Sequence, residues 1–182
     1  MPGGRPGPAQ GRSERMRYLE EILPHVETLM ADPPAVRAAV SSADILIGAV
    51  HIPGARTPRL VTRAMVKKMK PRSVIIDVAI DQGGSCETSR PTSHADPIFI
   101  TEGVLHYAVP NMPGAYGRTS TLALTNASLS YIKLLAQTPL SRMIREAPGL
   151  AKGIQLYGGK VICRPVAEAM HLAPATLQDV VS

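Results

Sequence analysis

One carboxylate in this chain stands where chemistry is easiest to place. Residues 74–84 read V-I-I-D-V-A-I-D-Q-G-G, an apolar run that delivers Asp81 and Gln82 into the pair Gly83 and Gly84. A β-branched run without alternation predicts a strand buried on both faces, as in a parallel sheet covered by helices. Such sheets bind ligands in the crevice beyond the carboxyl ends of their strands, and the two glycines let the backbone turn away there. An acid at that point reads as site chemistry, the electrostatic stabilisation of a neighbouring positive charge. The plainer alternative is that Asp81 only caps a turn. A second candidate is Asn111-Met112-Pro113-Gly114, where residue type alone reads Asn111 as a turn former and Met112 as core packing. Cys86, Glu87, His94 and Asp96 lie near one another but lack the tight, paired spacing of a zinc site, so no metal is expected.

The elements that must position these groups follow from the apolar periodicity. A helix is expected from Ser13, with Met16, Leu19, Ile22 and Leu23 on one side and Pro24 closing it. Residues 26–30 suggest a short strand. Asp32 can cap a helix whose first turn holds Pro33 or Pro34 and whose inner face holds Val36, Ala39 and Val40. Residues 45–50, I-L-I-G-A-V, form another continuous apolar run, followed by a loop at His51-Ile52-Pro53-Gly54-Ala55. Thr62 then caps a basic helix. Residues 74–79 return as a strand, a polar loop covers residues 81–96, and residues 98–100 and 104–109 are two further apolar segments. Strands and helices alternating at this spacing mean βαβ units.

After Arg118 the texture changes. Thr119 or Ser120 can cap a long helix that Pro139 stops, a short helix spans residues 140–146, and Gly158-Gly159 suits the turn of a hairpin over residues 154–162. Short helices and one hairpin do not close a core alone, so residues 119–182 read as part of another domain. Residues 13–118 read as half of a doubly wound sheet, because no G-x-G-x-x-G turn occurs anywhere. Residues 1–12, rich in Pro and Gly, read as a disordered tail without the apolar core of a secretory signal.

Composition narrows the partners. The 182 residues are 45% hydrophobic but only 3% aromatic, with no Trp and one Phe, which supplies few stacking platforms for single-stranded nucleic acid. The net charge of +6 owes much to Arg56, Arg59, Arg63, Lys67, Lys68, Lys70 and Arg72. These alternate with Val61, Met65 and Met69, the pattern of a helix with one solvated and one buried face, and a nucleic-acid partner is not expected. No window of about 18 apolar residues exists to span a membrane. Cys86 and Cys163, far apart and unpaired in motif, read as free thiols of a reducing, cytoplasmic compartment.

Three blocks together resemble the alanine dehydrogenase family: A-D-I-L-I-G-A-V-H-I-P-G-A from Ala43, I-D-V-A-I-D-Q-G-G-S-C-E-T-S-R-P-T from Ile76, and V-P-N-M-P-G-A-Y-G-R-T-S-T from Val109. The similarity runs from about Ser13 to the carboxyl end but covers only the second half of a full-length member. It implies a Rossmann-like α/β fold, a substrate-type domain to which residues 119–182 belong, and NAD-dependent oxidative deamination of L-alanine to pyruvate and ammonia. It places Val50, Val78, Asp81, Asn111 and Met112 around the nicotinamide, Asn111 also beside substrate, Arg15 near the adenosine end, and Asp81 as the retained catalytic acid. The family's ribose-binding acid falls near Gln10. Its catalytic Lys and His and its substrate-anchoring Arg belong to an amino-terminal domain; His25, His51, His94, His106 and His171 do not match that histidine. Pro110 and the pair Tyr116-Gly117 depart from the family pattern. The resemblance implies a homo-oligomer, commonly a hexamer, or a complementing amino-terminal half, and a chain that is inactive alone. Two alternatives are a hydride-transferring relative of the transhydrogenase alpha subunit and a non-catalytic module that docks on an intact subunit.

Overall fold

In the computed structural model, residues 8–178 are described, with side chains from residue 14 onward. Four strands form one sheet in the order β1-β2-β4-β3: β1 (Ile45–Gly48), β2 (Val74–Asp77), β3 (Ile98–Thr101) and β4 (Val104–Tyr107). β1, β2 and β4 are parallel, with Ile45 opposite Val74 and Val74 opposite Leu105. The βαβ reading therefore holds between β1 and β2, while the parallel pair of β2 and β4 is joined through a 3-10 turn and β3 with no α-helix between. It does not hold at one edge, where β3 pairs antiparallel with β4. Glu102 and Gly103, both at positive φ, form the two-residue turn that matches strand twist.

The first strands differ from expectation in length and burial. β1 stops two residues short of Val50, and Ile45 and Ile47 are 62% and 64% exposed, so the run is buried on one face only. β2 ends at Asp77, and residues Val78–Gln82 wind into a 3-10 turn instead of continuing the strand to Ala79.

Helix α1 (Pro8–Ile22) begins five residues before Ser13, so part of the expected tail is helical, and residues 1–7 lie outside the described residues. Proline suits a first turn, where its missing N–H would have no partner. Residues 26–30 do not form the expected strand. Their backbone groups bond elsewhere, the Val26 N–H to the Leu23 carbonyl, the Thr28 N–H to the Glu20 carboxylate and the Met30 carbonyl to the Asp32 N–H, and Val26, Leu29 and Met30 stay about half exposed. Helix α2 (Pro33–Ser42) forms as its cap predicts: the Asp32 carboxylate accepts from the Ala35 N–H at 2.8 Å, and Val40 is buried.

Thr62 likewise caps α3 (Arg63–Val66), which is shorter than the basic run suggested. Val61, Val66 and Met69 join Val40, Ile75, Cys86 and Val104 in the core. The cations of this segment find distant acids: Arg63 and Lys67 meet Glu102, and Lys70 meets Asp44 at 2.7 Å.

The carboxyl-terminal part is helical. Helix α4 (Gly117–Gln137) has none of its residues buried, and its start is marked by Ser120 donating its hydroxyl to the Pro113 carbonyl rather than by a side-chain cap. Helices α5 (Leu140–Glu146) and α6 (Pro148–Ala151) follow. The hairpin of β5 (Leu156–Tyr157) and β6 (Lys160–Val161) turns at Gly158 and Gly159, both at positive φ, and leads to α7 (Arg164–Ala169). No helix among the described residues is long and apolar enough to cross a membrane.

Candidate functional site

The site grows from the carboxyl ends of β1 and β2. Val50 and His51 follow β1, while Val78, Asp81 and Gln82 lie in the 3-10 turn after β2. With Ala49 and Ala79 they line one cavity of about 180 Å³. Three residues separated by up to 31 positions and singled out from sequence, Val50, Val78 and Asp81, thus share one wall.

Asn111 joins them through its backbone. Its N–H donates to both oxygens of Asp81, at 3.1 and 3.3 Å, and its αL conformation (φ 52, ψ 50) turns the chain into the next 3-10 turn, Met112–Tyr116. Asparagine tolerates αL better than most residues. The turn reading of Asn111 and the site reading are therefore both satisfied: the turn aims the N–H at Asp81. On its other side Asn111 borders a cleft of about 590 Å³ that reaches Ser120, Thr121 and Leu124 of α4. Met112 is partly buried directly after Asn111 but lines neither of these spaces. Arg15 stands on α1 with its guanidinium over the Tyr18 ring at 5.1 Å and is in neither wall. The geometry gathers Val50, Val78, Asp81 and Asn111; it does not gather Arg15.

Beneath the cavity lies a carboxylate that sequence reading passed over. Asp77 is fully buried at the end of β2 and accepts from the Ser85 N–H (2.9 and 3.1 Å), the Ser85 hydroxyl (3.0 Å) and the Cys86 N–H (3.2 Å). Buried charge persists only when so satisfied. A Cβ on Gly48 would lie 1.9 Å from Ser85 Oγ, so β1 needs glycine where this loop crosses it. Gly83 and Gly84, at φ 101 and 82, send their N–H groups back to Ile80 and Ala79. The Thr57 N–H bonds the Gln82 carbonyl at 3.0 Å, and its hydroxyl bonds the Val50 carbonyl. The turn that carries Asp81 is thereby held from below and from the side. An acid interrupting an otherwise apolar strand, V-I-I-D, was the available signal.

Two other polar groups are buried near this support. Burial pushes the Cys86 thiol up to about 11, with the Asp77 charge adding to the effect and the Ser85 hydrogen bond opposing it. His106 is fully buried on β4, bonded through Nε2 to the Thr88 hydroxyl (2.8 Å) and through Nδ1 to the Val104 carbonyl (3.0 Å), and stacked on Phe99. Burial is the main cause that lowers its pKa. Neither group reaches the cavity wall, and no cluster of metal-ligating side chains occurs among the described residues.

An exposed carboxylate clamped by one backbone N–H can attract a cation without having to move. It also sits where a parallel sheet opens its crevice.

The family model described as alanine dehydrogenase/PNT, C-terminal domain, matches residues 9–164. The alanine dehydrogenase of Halomonas elongata is 43% identical over 175 residues, covering 90% of this chain and 47% of that protein. That of Staphylococcus haemolyticus is 45% identical over 168 residues, covering 91% and 45%. Among solved structures, an L-alanine dehydrogenase is similar with a TM-score of 0.71 at 42% identity, over 87% of this chain and 44% of its own. A transhydrogenase from Sinorhizobium meliloti follows with a TM-score of 0.60 at 25% identity, over 82% and 40%. The chain spans about half the length of the curated relatives it matches.

Proposed function

The chain belongs to the alanine dehydrogenase/PNT C-terminal domain family, and from that membership we propose that it is the carboxyl-terminal half of an NAD-dependent alanine dehydrogenase. In this reading the cavity after β1 and β2 takes the nicotinamide end of NAD, whose ring supplies the hydride acceptor for L-alanine. Val50 and Val78 give that ring apolar walls. Asp81 supplies negative charge beside the cationic ring and the ammonium of the substrate, and the Asn111 amide orients the polar groups of alanine or pyruvate. Met112 packs beside them, and Arg15 contributes toward the adenosine end.

The residues present fit the group: the wall holds one exposed carboxylate with the Gln82 amide next to it, flanked by two β-branched side chains, and it contains no Lys or Arg. The observation that carries the reading is the meeting of Val50, Val78 and Asp81 in one cavity with the Asn111 N–H on the carboxylate. The substrate-side groups come from a complementing amino-terminal half, onto which residues 119–182 dock; a cytoplasmic homo-oligomer is the expected assembly.

The test is NADH formation from L-alanine. The chain alone is expected to give none, and the chain mixed with a complementing amino-terminal half to give turnover that Asp81→Asn lowers by about a hundredfold or more. Turnover by the chain alone, or an Asp81→Asn mixture as active as the original, would overturn it. The structural similarity to a transhydrogenase supports a second reading, hydride exchange between two nucleotides, which NADH-dependent reduction of a nucleotide analogue without alanine would reveal.

A further inference from the structure

His51 shares the cavity wall with Asp81 and is tied to Gln82 on the opposite side of it. The same imidazole nitrogen, Nδ1, lies 2.9 Å from the Gln82 amide nitrogen and 3.1 Å from the amide oxygen. When Nδ1 carries no proton it accepts from the amide N–H; when it is protonated it donates to the amide oxygen. The contact therefore survives both charge states, and the ring stays in place while its charge changes. The loop beyond also packs against the carboxyl-terminal part: a Cβ on Gly54, which stands at φ 74, would come within 3.2 to 3.5 Å of Cys163, Pro165 and Val166.

We propose that His51 determines which redox form of the dinucleotide the site prefers, as a charge beside Asp81 that is set by pH. This rests on the nicotinamide reading above. Oxidised nicotinamide carries a positive ring charge and the reduced ring does not. With His51 neutral, Asp81 leaves the wall negative and favours the oxidised form. With His51 protonated, its positive charge in the same wall opposes that of Asp81 and the preference weakens. Histidine is the side chain whose charge ordinarily changes between pH 5 and 8. Asp81 is the other ionisable side chain lining the cavity; Asp77 is buried at the end of β2 beneath it, Arg56 and Arg59 stand on the same loop as His51, and Cys163 and Arg164 stand where α7 begins against Gly54.

The experiment is an NMR titration of the whole 182-residue chain with NAD and, separately, with NADH at pH 6.0 and pH 8.0. The ratio of dissociation constants, NAD over NADH, is expected to rise by about threefold or more from pH 8.0 to pH 6.0, the size of one unit charge acting at close range through partly aqueous surroundings. His51→Gln, which retains a hydrogen-bonding partner for Gln82 without a titrating ring, should flatten that change, and His25→Gln should leave it intact. In the original chain, NAD should also lower the pH midpoint of the His51 ring signals while NADH leaves it unmoved, by reciprocity of linkage. A ratio that is equal at both pH values, or a slope that survives in His51→Gln, overturns the proposal even if the variant is poorly folded, because the first result comes from the original chain. Binding of neither nucleotide overturns the nicotinamide reading itself, and this inference with it.

Discussion

The carboxyl end of the sheet and helix α4 are built from similar apolar sequence and end up in opposite surroundings. Around β2 and β4, Ile75, Asp77, Cys86 and His106 have no exposure at all, and every donor and acceptor of Asp77 and His106 described above is matched. Along α4, Leu124 is 70% exposed and Leu122 and Ile132 are each 56% exposed. Apolar content alone did not decide burial. What decided it was whether the chain itself supplies an opposing surface: α2, α3 and neighbouring strands do so for β2, and nothing among the described residues does so for α4. A helix apolar around much of its circumference belongs inside a larger body. One part of the molecule thus holds a fully hydrogen-bonded polar support on a buried core, and the other is a surface that the proposed amino-terminal half would cover.

That contrast can be attacked at its strongest point first. Asp77→Ala strips the acceptor from three buried donors of Ser85 and Cys86, and a loss of about 3 kcal/mol or more is expected in urea unfolding; a loss under about 1 kcal/mol would mean that the buried carboxylate does not hold the loop. Next, Gly48→Ala places a methyl group against Ser85 Oγ, with an expected cost of about 1–3 kcal/mol, read by the same unfolding curve.

A pH series probes the buried histidine of the same region. Because burial holds the His106 pKa below its ordinary value, the unfolded chain takes up a proton that the folded chain resists. The stabilising effect is full above the ordinary histidine value of about 6.5 and is lost as pH falls through it. The urea midpoint should therefore drop between pH 7.5 and pH 5.5, and His106→Gln should reduce that drop. The smallest effect is expected on the other side of the contrast, where Leu124→Ser on α4 should change stability by no more than about 0.5 kcal/mol. A large loss there would show that α4 is packed in solution.

Asp81 was legible because strand ends obey topology, whereas Val50 and Val78 came only from the family resemblance. The apolar runs at residues 45 and 74, the glycine pair, and the caps at Asp32 and Thr62 each follow from local chemistry, and their parallel pairing brings Val50, Val78 and Asp81 to one place. The clamp from Asn111 was less accessible, since it depends on an αL backbone whose N–H points across 30 positions. Asp77 was hidden for a different reason: its partners lie in a loop that folds back under the sheet, and no local rule announces them. The strand expected over residues 26–30 failed because backbone groups of that segment bond elsewhere, the Thr28 N–H to the Glu20 carboxylate and the Met30 carbonyl to the Asp32 N–H. Ile45 and Ile47 are exposed for a different reason: among the described residues no layer covers that face of β1.

The central claim is that Val50, Val78, Asp81 and Asn111 surround one nicotinamide, and backbone amide shifts on addition of NADH test it most directly. The account predicts that the signals of these four residues move together, with one dissociation constant, and that Asp81→Asn changes the response of all four. Shifts confined to α4 or to the carboxyl-terminal helices, with these four signals unmoved, would contradict it.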